Sequence, residues 1–132
     1  MKRLTKSTII IAGAIVVLYG IGRALPETEE AYPRMRAAAA AFRLEGVKDG
    51  VYEGKAFLLP VSVRVKATVA GGRISSIELL KHFNGQGKPA EAILDEVIAR
   101  QSLGVDVVAG ATHSSLTILS AVEDALEKGK RR

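Results

Sequence analysis

The chain has 132 residues and no cysteine. It is therefore long enough for one small domain, and disulfides, thiolate nucleophiles and cysteine-ligated metal or iron–sulfur sites are excluded. Two histidines and no tryptophan supply a transition-metal site poorly, so we predict no metal site. The net charge of +5 arises mainly near the two ends, in residues 1–25 and 128–132. This placement argues against a nucleic-acid partner.

Residues 1–25 have the pattern of a membrane-targeting segment. Basic residues precede an uncharged apolar run over residues 7–22, and a helix needs about 20 apolar residues to cross a bilayer. A cleaved signal sequence is the alternative, with a weak cleavage site at Gly20-Ile21-Gly22. We favour a retained N-terminal transmembrane helix. The basic flank then keeps the N-terminus inside, and the rest of this single-pass chain lies on the outer face of the cytoplasmic membrane.

The region after Leu25 is predicted to contain a linker, residues 26–46, and one α+β domain, residues 47–132. In the linker, Pro33–Leu44 is rich in alanine, which favours a short helix. In the domain, apolar and polar residues alternate over Val61–Val69, which predicts a strand with one buried face. We expect a small antiparallel sheet of three or four strands packed with two helices.

Turn residues and periodicity define the elements of this domain. Gly71-Gly72 predicts a two-residue hairpin turn, because such turns need positive φ, and the strand Arg73–Leu80 then returns. Further along the chain we expect a helix from Ala90 to Gln101, which Gly104 ends, and then a short strand Val105–Val108. A turn at Ala109–Thr112 follows. The last predicted helix runs from about Ser114 to Lys128 and buries Leu119, Val122 and Leu126, supported by Ile118 and Ala125.

The turn before the last helix is the best candidate for a ligand site. A helix N-terminus offers backbone N–H groups and the positive end of the helix dipole, so it suits a phosphate. The small residues Ala109, Gly110 and Ala111 would let a ligand approach the backbone closely. A purely structural turn, with Thr112 or Ser114 as the helix N-cap, fits the same residues.

The segment Asp106–Ser115, which reads DVVAGATHSS, resembles the flavinylation motif of the FMN-binding domain. This domain occurs in the covalently flavinylated subunits of sodium-pumping NADH:quinone reductase and Rnf-type complexes. The resemblance covers about residues 47–128. Its other parts are the opening Asp49–Gly54, the hairpin Val61–Leu80, the approach to the motif at Gln101-Ser102 and Val105-Asp106, and the closing helix Ala121–Leu126.

The resemblance implies that Thr112 receives FMN through a phosphoester bond, which a separate flavin transferase makes. Asp106 would serve recognition or activation during this transfer, or would instead be a buried-strand acid that stabilises the turn. Ala109, Gly110, Ala111, Ser114 and Ser115 would hold the phosphate and ribityl chain.

The two histidines of the chain are His82 and His113. By resemblance, His82 would lie in the loop after the hairpin, near the isoalloxazine ring, although an exposed loop histidine fits as well. Family members often follow this histidine with an acidic residue and a threonine, whereas this chain has Phe83-Asn84-Gly85. His113 is expected to face solvent.

These features predict a membrane-anchored electron carrier with covalent FMN, because no acid–base pair or nucleophile indicates turnover of a substrate. Its partners would be the flavin transferase, membrane lipid around the N-terminal helix, and a membrane electron-transfer complex or an extracellular reductase. The alternatives are a non-catalytic accessory subunit with loosely bound or absent FMN, and a small flavoenzyme that reduces a substrate itself.

Overall fold

The computed structural model describes residues 30–83 and 88–131. The chain divides into two compact units, Met1–Pro33 and Arg34–Arg132. In residues 30–83 and 88–131 no helix is long and apolar enough to cross a membrane. The predicted transmembrane helix lies outside the described residues.

The centre of the fold is an antiparallel sheet of three strands in the order β1-β2-β3. The strands are β1 (Gly50–Leu58), β2 (Val61–Ala70) and β3 (Arg73–Phe83). The predicted alternation is confirmed in β2, where every second residue is apolar and buried: Val61, Val63, Val65, Ala67 and Val69. Its other face is open to solvent, as expected for an antiparallel sheet with one covered face.

The predicted Gly-Gly hairpin turn is confirmed between β2 and β3. Gly71 and Gly72 have φ values of 61° and 73°, which are cheap only for glycine. The carboxylate of Asp49 accepts both glycine N–H groups, at 2.8 Å from Gly71 and 3.0 Å from Gly72. These bonds lower the pKa of Asp49.

The described residues contain three α-helices: α1 (residues 30–41), α2 (Ile93–Arg100) and α3 (Thr112–Lys130). A 3₁₀ turn at Lys88–Ala92 precedes α2. Helix α3 packs on β1 and β2, and all the residues predicted for its inward face are buried: Ile118, Leu119, Val122, Ala125 and Leu126. The approach is close, since a Cβ at Gly54 of β1 would lie 2.0 Å from the Ala121 carbonyl oxygen.

Two expectations about the segment between α2 and α3 are wrong. Helix α2 ends at Arg100, with Gln101 in the left-handed conformation, and not at Gly104. The side chain of Gln101 accepts the Ile74 N–H at 2.7 Å and donates to the Ile74 carbonyl at 2.8 Å. Residues 105–108 form no strand, and the Val108 backbone instead bonds to the Ala111 N–H and to Ser115 Oγ.

Candidate cofactor-binding site

A tight turn connects the extended residues 105–108 to helix α3. The Val108 carbonyl accepts the Ala111 N–H at 2.9 Å, and Gly110 between them has a φ of 76°. The Val108 N–H donates to Ser115 Oγ at 3.1 Å. One backbone hydrogen bond and one buried hydroxyl therefore hold residues 108–111 against the start of helix α3.

Thr112 is the first residue of α3 and is half-buried. Ala111 before it gives the helix no side-chain cap, and the first helical bond runs from the Ser115 N–H to the Ala111 carbonyl at 2.9 Å. The helix thus supplies no i−4 carbonyl to the amides of Thr112 and Ser114. With the positive end of the dipole, these donors suit a phosphate next to the Thr112 hydroxyl.

The other predicted turn residues divide into two groups. Ala109 and Gly110 are exposed, and a Cβ at Gly110 would meet nothing within 4 Å, so a ligand has room to approach here. Ala111, Ser114 and Ser115 are buried, at 8%, 3% and 0% exposure. The Ser115 hydroxyl accepts the Val108 N–H inside the fold, so it holds the turn in place.

Asp106 is exposed and lies outside any strand, so the expectation of a buried-strand acid is wrong. Asp106 lines a cleft of about 170 Å³ together with Arg36 of α1. The carboxylate is thus available at the surface, within the segment that leads to Thr112.

His82 lies on β3 and not in a loop after the hairpin, and its side chain is only 2% exposed. The reading as an exposed loop histidine is therefore wrong. Its Nδ1 donates to Glu91 Oε1 of the 3₁₀ turn at 3.1 Å, since a carboxylate only accepts. Residues 84–87, which follow β3, lie outside the described residues.

His113 is bonded within the fold, which overturns the expectation that it faces solvent. Its Nε2 donates to the Leu58 carbonyl of β1 at 2.7 Å. Leu58 is paired with Val61, and His82 is paired with Val63 on the same strand β2. The structure therefore brings both histidines and Thr112 to one end of the sheet.

The sequence patterns did not predict the bonds of Glu91 and His113 at this end, nor the bond of Gln101 to Ile74 near the opposite end of the sheet. Each joins residues that lie on different elements, as in His113 and Leu58, which are 55 positions apart. Local patterns give no signal for such pairs. The glycine hairpin indicates only that β3 returns beside β2, because two register shifts between the turn and His82 decide that His82 pairs with Val63.

Comparison with known proteins identifies the family of this chain. The FMN-binding domain family model matches residues 60–127, from the start of β2 to the end region of α3. Urocanate reductase from Eggerthella lenta is 32% identical over 133 residues, covering 96% of this chain and 21% of the reductase. A protein of Treponema pallidum described only as uncharacterized is 26% identical over 127 residues, covering 92% of this chain and 35% of the relative.

The chain thus spans about a fifth to a third of the length of these relatives. The family match includes the whole β2–β3 hairpin, the 3₁₀ turn, α2 and the turn at Thr112, which is more than half of the chain. The chain belongs to the FMN-binding domain family.

Proposed function

We propose that this chain is a membrane-tethered electron-transfer flavoprotein in which the phosphate of FMN is esterified to the Thr112 hydroxyl. The observation that carries the proposal is the position of Thr112. It begins a helix of 19 residues, directly after a glycine turn, and Ala111 leaves the helix end without a side-chain cap. An esterified phosphate would complete this end of the helix.

The surrounding residues fit a phosphate and its ribityl chain. The amides of Thr112 and Ser114 would donate to the phosphate oxygens, and the small side chains of Ala109 and Gly110 would leave space for the ribityl chain. Ser115 would contribute indirectly, by holding the turn through Val108. Asp106 is exposed in the segment before the turn, where a flavin transferase could contact it.

Bound FMN would supply a carrier that takes up electrons singly or in pairs. The chain's own residues would set its position. Glu91 fixes the orientation of the His82 ring at the end of the sheet where we expect the isoalloxazine, and the bond from His113 to Leu58 holds the start of α3 against β1.

A relay role on the outer side of a cytoplasmic membrane fits these features. The apolar residues 7–22 after a basic flank support a tether, and a covalent ester would prevent loss of the cofactor outside the cell. One relative is a urocanate reductase, and the match to this chain covers about a fifth of its length. This supports a domain that passes electrons to or from a larger redox partner, such as a membrane complex or an extracellular reductase.

The test is co-expression with a flavin transferase, followed by acid denaturation and in-gel flavin fluorescence. The wild-type chain should remain fluorescent and Thr112→Val should not. Thr68→Val, the same chemical change at a half-buried position on β2, should behave like the wild type. Fluorescence of the Thr112→Val chain would refute the attachment site.

A further inference from the structure

A row of three cations crosses the outer face of the sheet. The register pairs Lys55 with Arg64 and Arg64 with Lys81, and all three side chains are exposed. Like charges opposite one another destabilise a sheet. The next row differs, since Lys66 there pairs with Glu78 at 3.1 Å. The stability of the sheet therefore does not explain the cationic row.

The cationic row lines a cleft of about 390 Å³. Among the described residues around this cleft, three are cationic and none is acidic. An adjoining cleft of about 240 Å³ shares Lys55 and Arg64 and adds Lys128 and Glu53. Asp124 lies 3.7 Å from the Lys128 ammonium. Positive charge exceeds negative charge on this face, which makes it complementary to an anionic surface.

The tip of the β1–β2 hairpin, residues 57–60, adds apolar surface next to the cationic row. Phe57 and Leu59 are 68% and 66% exposed, more than any other large hydrophobic residue that the structure describes. Phe57 lies two residues beyond Lys55 on the same face of β1, a distance of roughly 7 Å along a strand. Peripheral segments bury their apolar side chains to a similar depth, about 5–10 Å, below the lipid headgroups.

We propose that the cationic row and the hairpin tip together dock onto an anionic lipid surface. Lys55, Arg64 and Lys81 contact the lipid phosphates, while Phe57 and Leu59 enter the interface. An acidic protein would satisfy the cations alone. A lipid surface also accounts for two apolar side chains that are each about two-thirds exposed at a projecting turn.

The docked orientation has a consequence for the cofactor, and this consequence alone rests on the proposed function. Leu58 of the hairpin tip accepts the bond from His113, the neighbour of Thr112. Docking would therefore hold an esterified flavin close to the bilayer surface. The docking itself depends only on the described face and can be tested without flavin.

The test uses the full chain expressed without a flavin transferase and mixed with vesicles of equal parts phosphatidylglycerol and phosphatidylcholine. The native chain has no tryptophan, so Phe57→Trp provides a single tryptophan whose emission can be excited selectively. Bromine-labelled acyl chains should quench its emission. Val51→Trp is the matched control, since Val51 is 54% exposed on the same face of β1 but roughly 20 Å from position 57, and it should not be quenched.

Charge variants of the Phe57→Trp chain complete the test. Replacing Lys55, Arg64 and Lys81 by glutamine should lower the ratio of docked to free domain by roughly a hundredfold, at about fivefold per cation, whereas Lys66→Gln should have little effect. Equal quenching in pure phosphatidylcholine, or at positions 51 and 57, would overturn the proposal. An emission shift with polyglutamate but no quenching by lipid would also overturn it, in favour of a protein-docking face.

Discussion

The Ser115 hydroxyl provides the sharpest test of how the turn before Thr112 is held. This side chain is fully buried, and its Oγ accepts the Val108 N–H at 3.1 Å. Ser115→Ala removes the acceptor and leaves the half-buried Val108 amide without it. A lost partner of this kind costs about 1–3 kcal/mol.

A cost near the middle of that range, about 2 kcal/mol, should lower Tm by roughly 8–16 °C in a domain of this size. The variant should also be flavinylated more slowly, because the turn that presents Thr112 is no longer fastened. Thermal denaturation followed by circular dichroism gives Tm, and in-gel fluorescence over time gives the rate. Ser120→Ala, at a half-buried position on the same helix, should change neither quantity appreciably.

An unchanged Tm together with an unchanged flavinylation rate would refute the assigned role of Ser115. Slow flavinylation at an unchanged Tm would also contradict it, because the hydroxyl would then contact the phosphate directly.

Three further predictions concern packing and pH. Gly54→Ala should lower the free energy of unfolding by about 3 kcal/mol or more, because the new Cβ would overlap the backbone of α3. Gly104→Ala should lower it by under about 1 kcal/mol in the same chemical denaturation assay. Equal losses in the two variants would contradict this packing. Hydrogen bonds from the Gly72 and Gly71 N–H groups lower the pKa of Asp49, so the ionised carboxylate stabilises the fold at neutral pH and this contribution is lost as pH falls below about 4. The difference in Tm between the wild type and Asp49→Asn should therefore shrink on acidification. A difference that stays constant with pH would contradict this role of the carboxylate. Burial raises the pKa of Glu123, so the ionised carboxylate lowers the stability of the fold above about pH 4.5. Glu123→Gln should therefore raise Tm at neutral pH but not at about pH 3. A gain in Tm that does not depend on pH would argue against burial of the charge as its cause.

Local patterns predicted the parts of the fold that depend on neighbours in sequence. The alternation in β2, the positive φ at Gly71-Gly72 and the apolar stripe of α3 all follow from periods and turn chemistry. The turn of small residues before α3 was likewise visible, because Gly110 and its alanine neighbours stand together.

Long-range side-chain bonds decide the features that local patterns predicted wrongly. Glycine placement predicted that α2 ends at Gly104, yet the helix ends at Arg100, and the Gln101 side chain after it bonds to the Ile74 backbone of β3. His113 follows an exposed turn, yet Leu58 of a distant strand accepts its Nε2–H. Neither contact leaves a periodic signal in the sequence.

The intact mass of the chain purified from its native membrane tests the central claim most directly. The mass of the chain should exceed the mass calculated from its sequence by one FMN less one water, and the added mass should map to the peptide that contains Thr112. A chain of unmodified mass, purified from cells that contain an active flavin transferase, would contradict the account and would indicate an accessory subunit without covalent flavin.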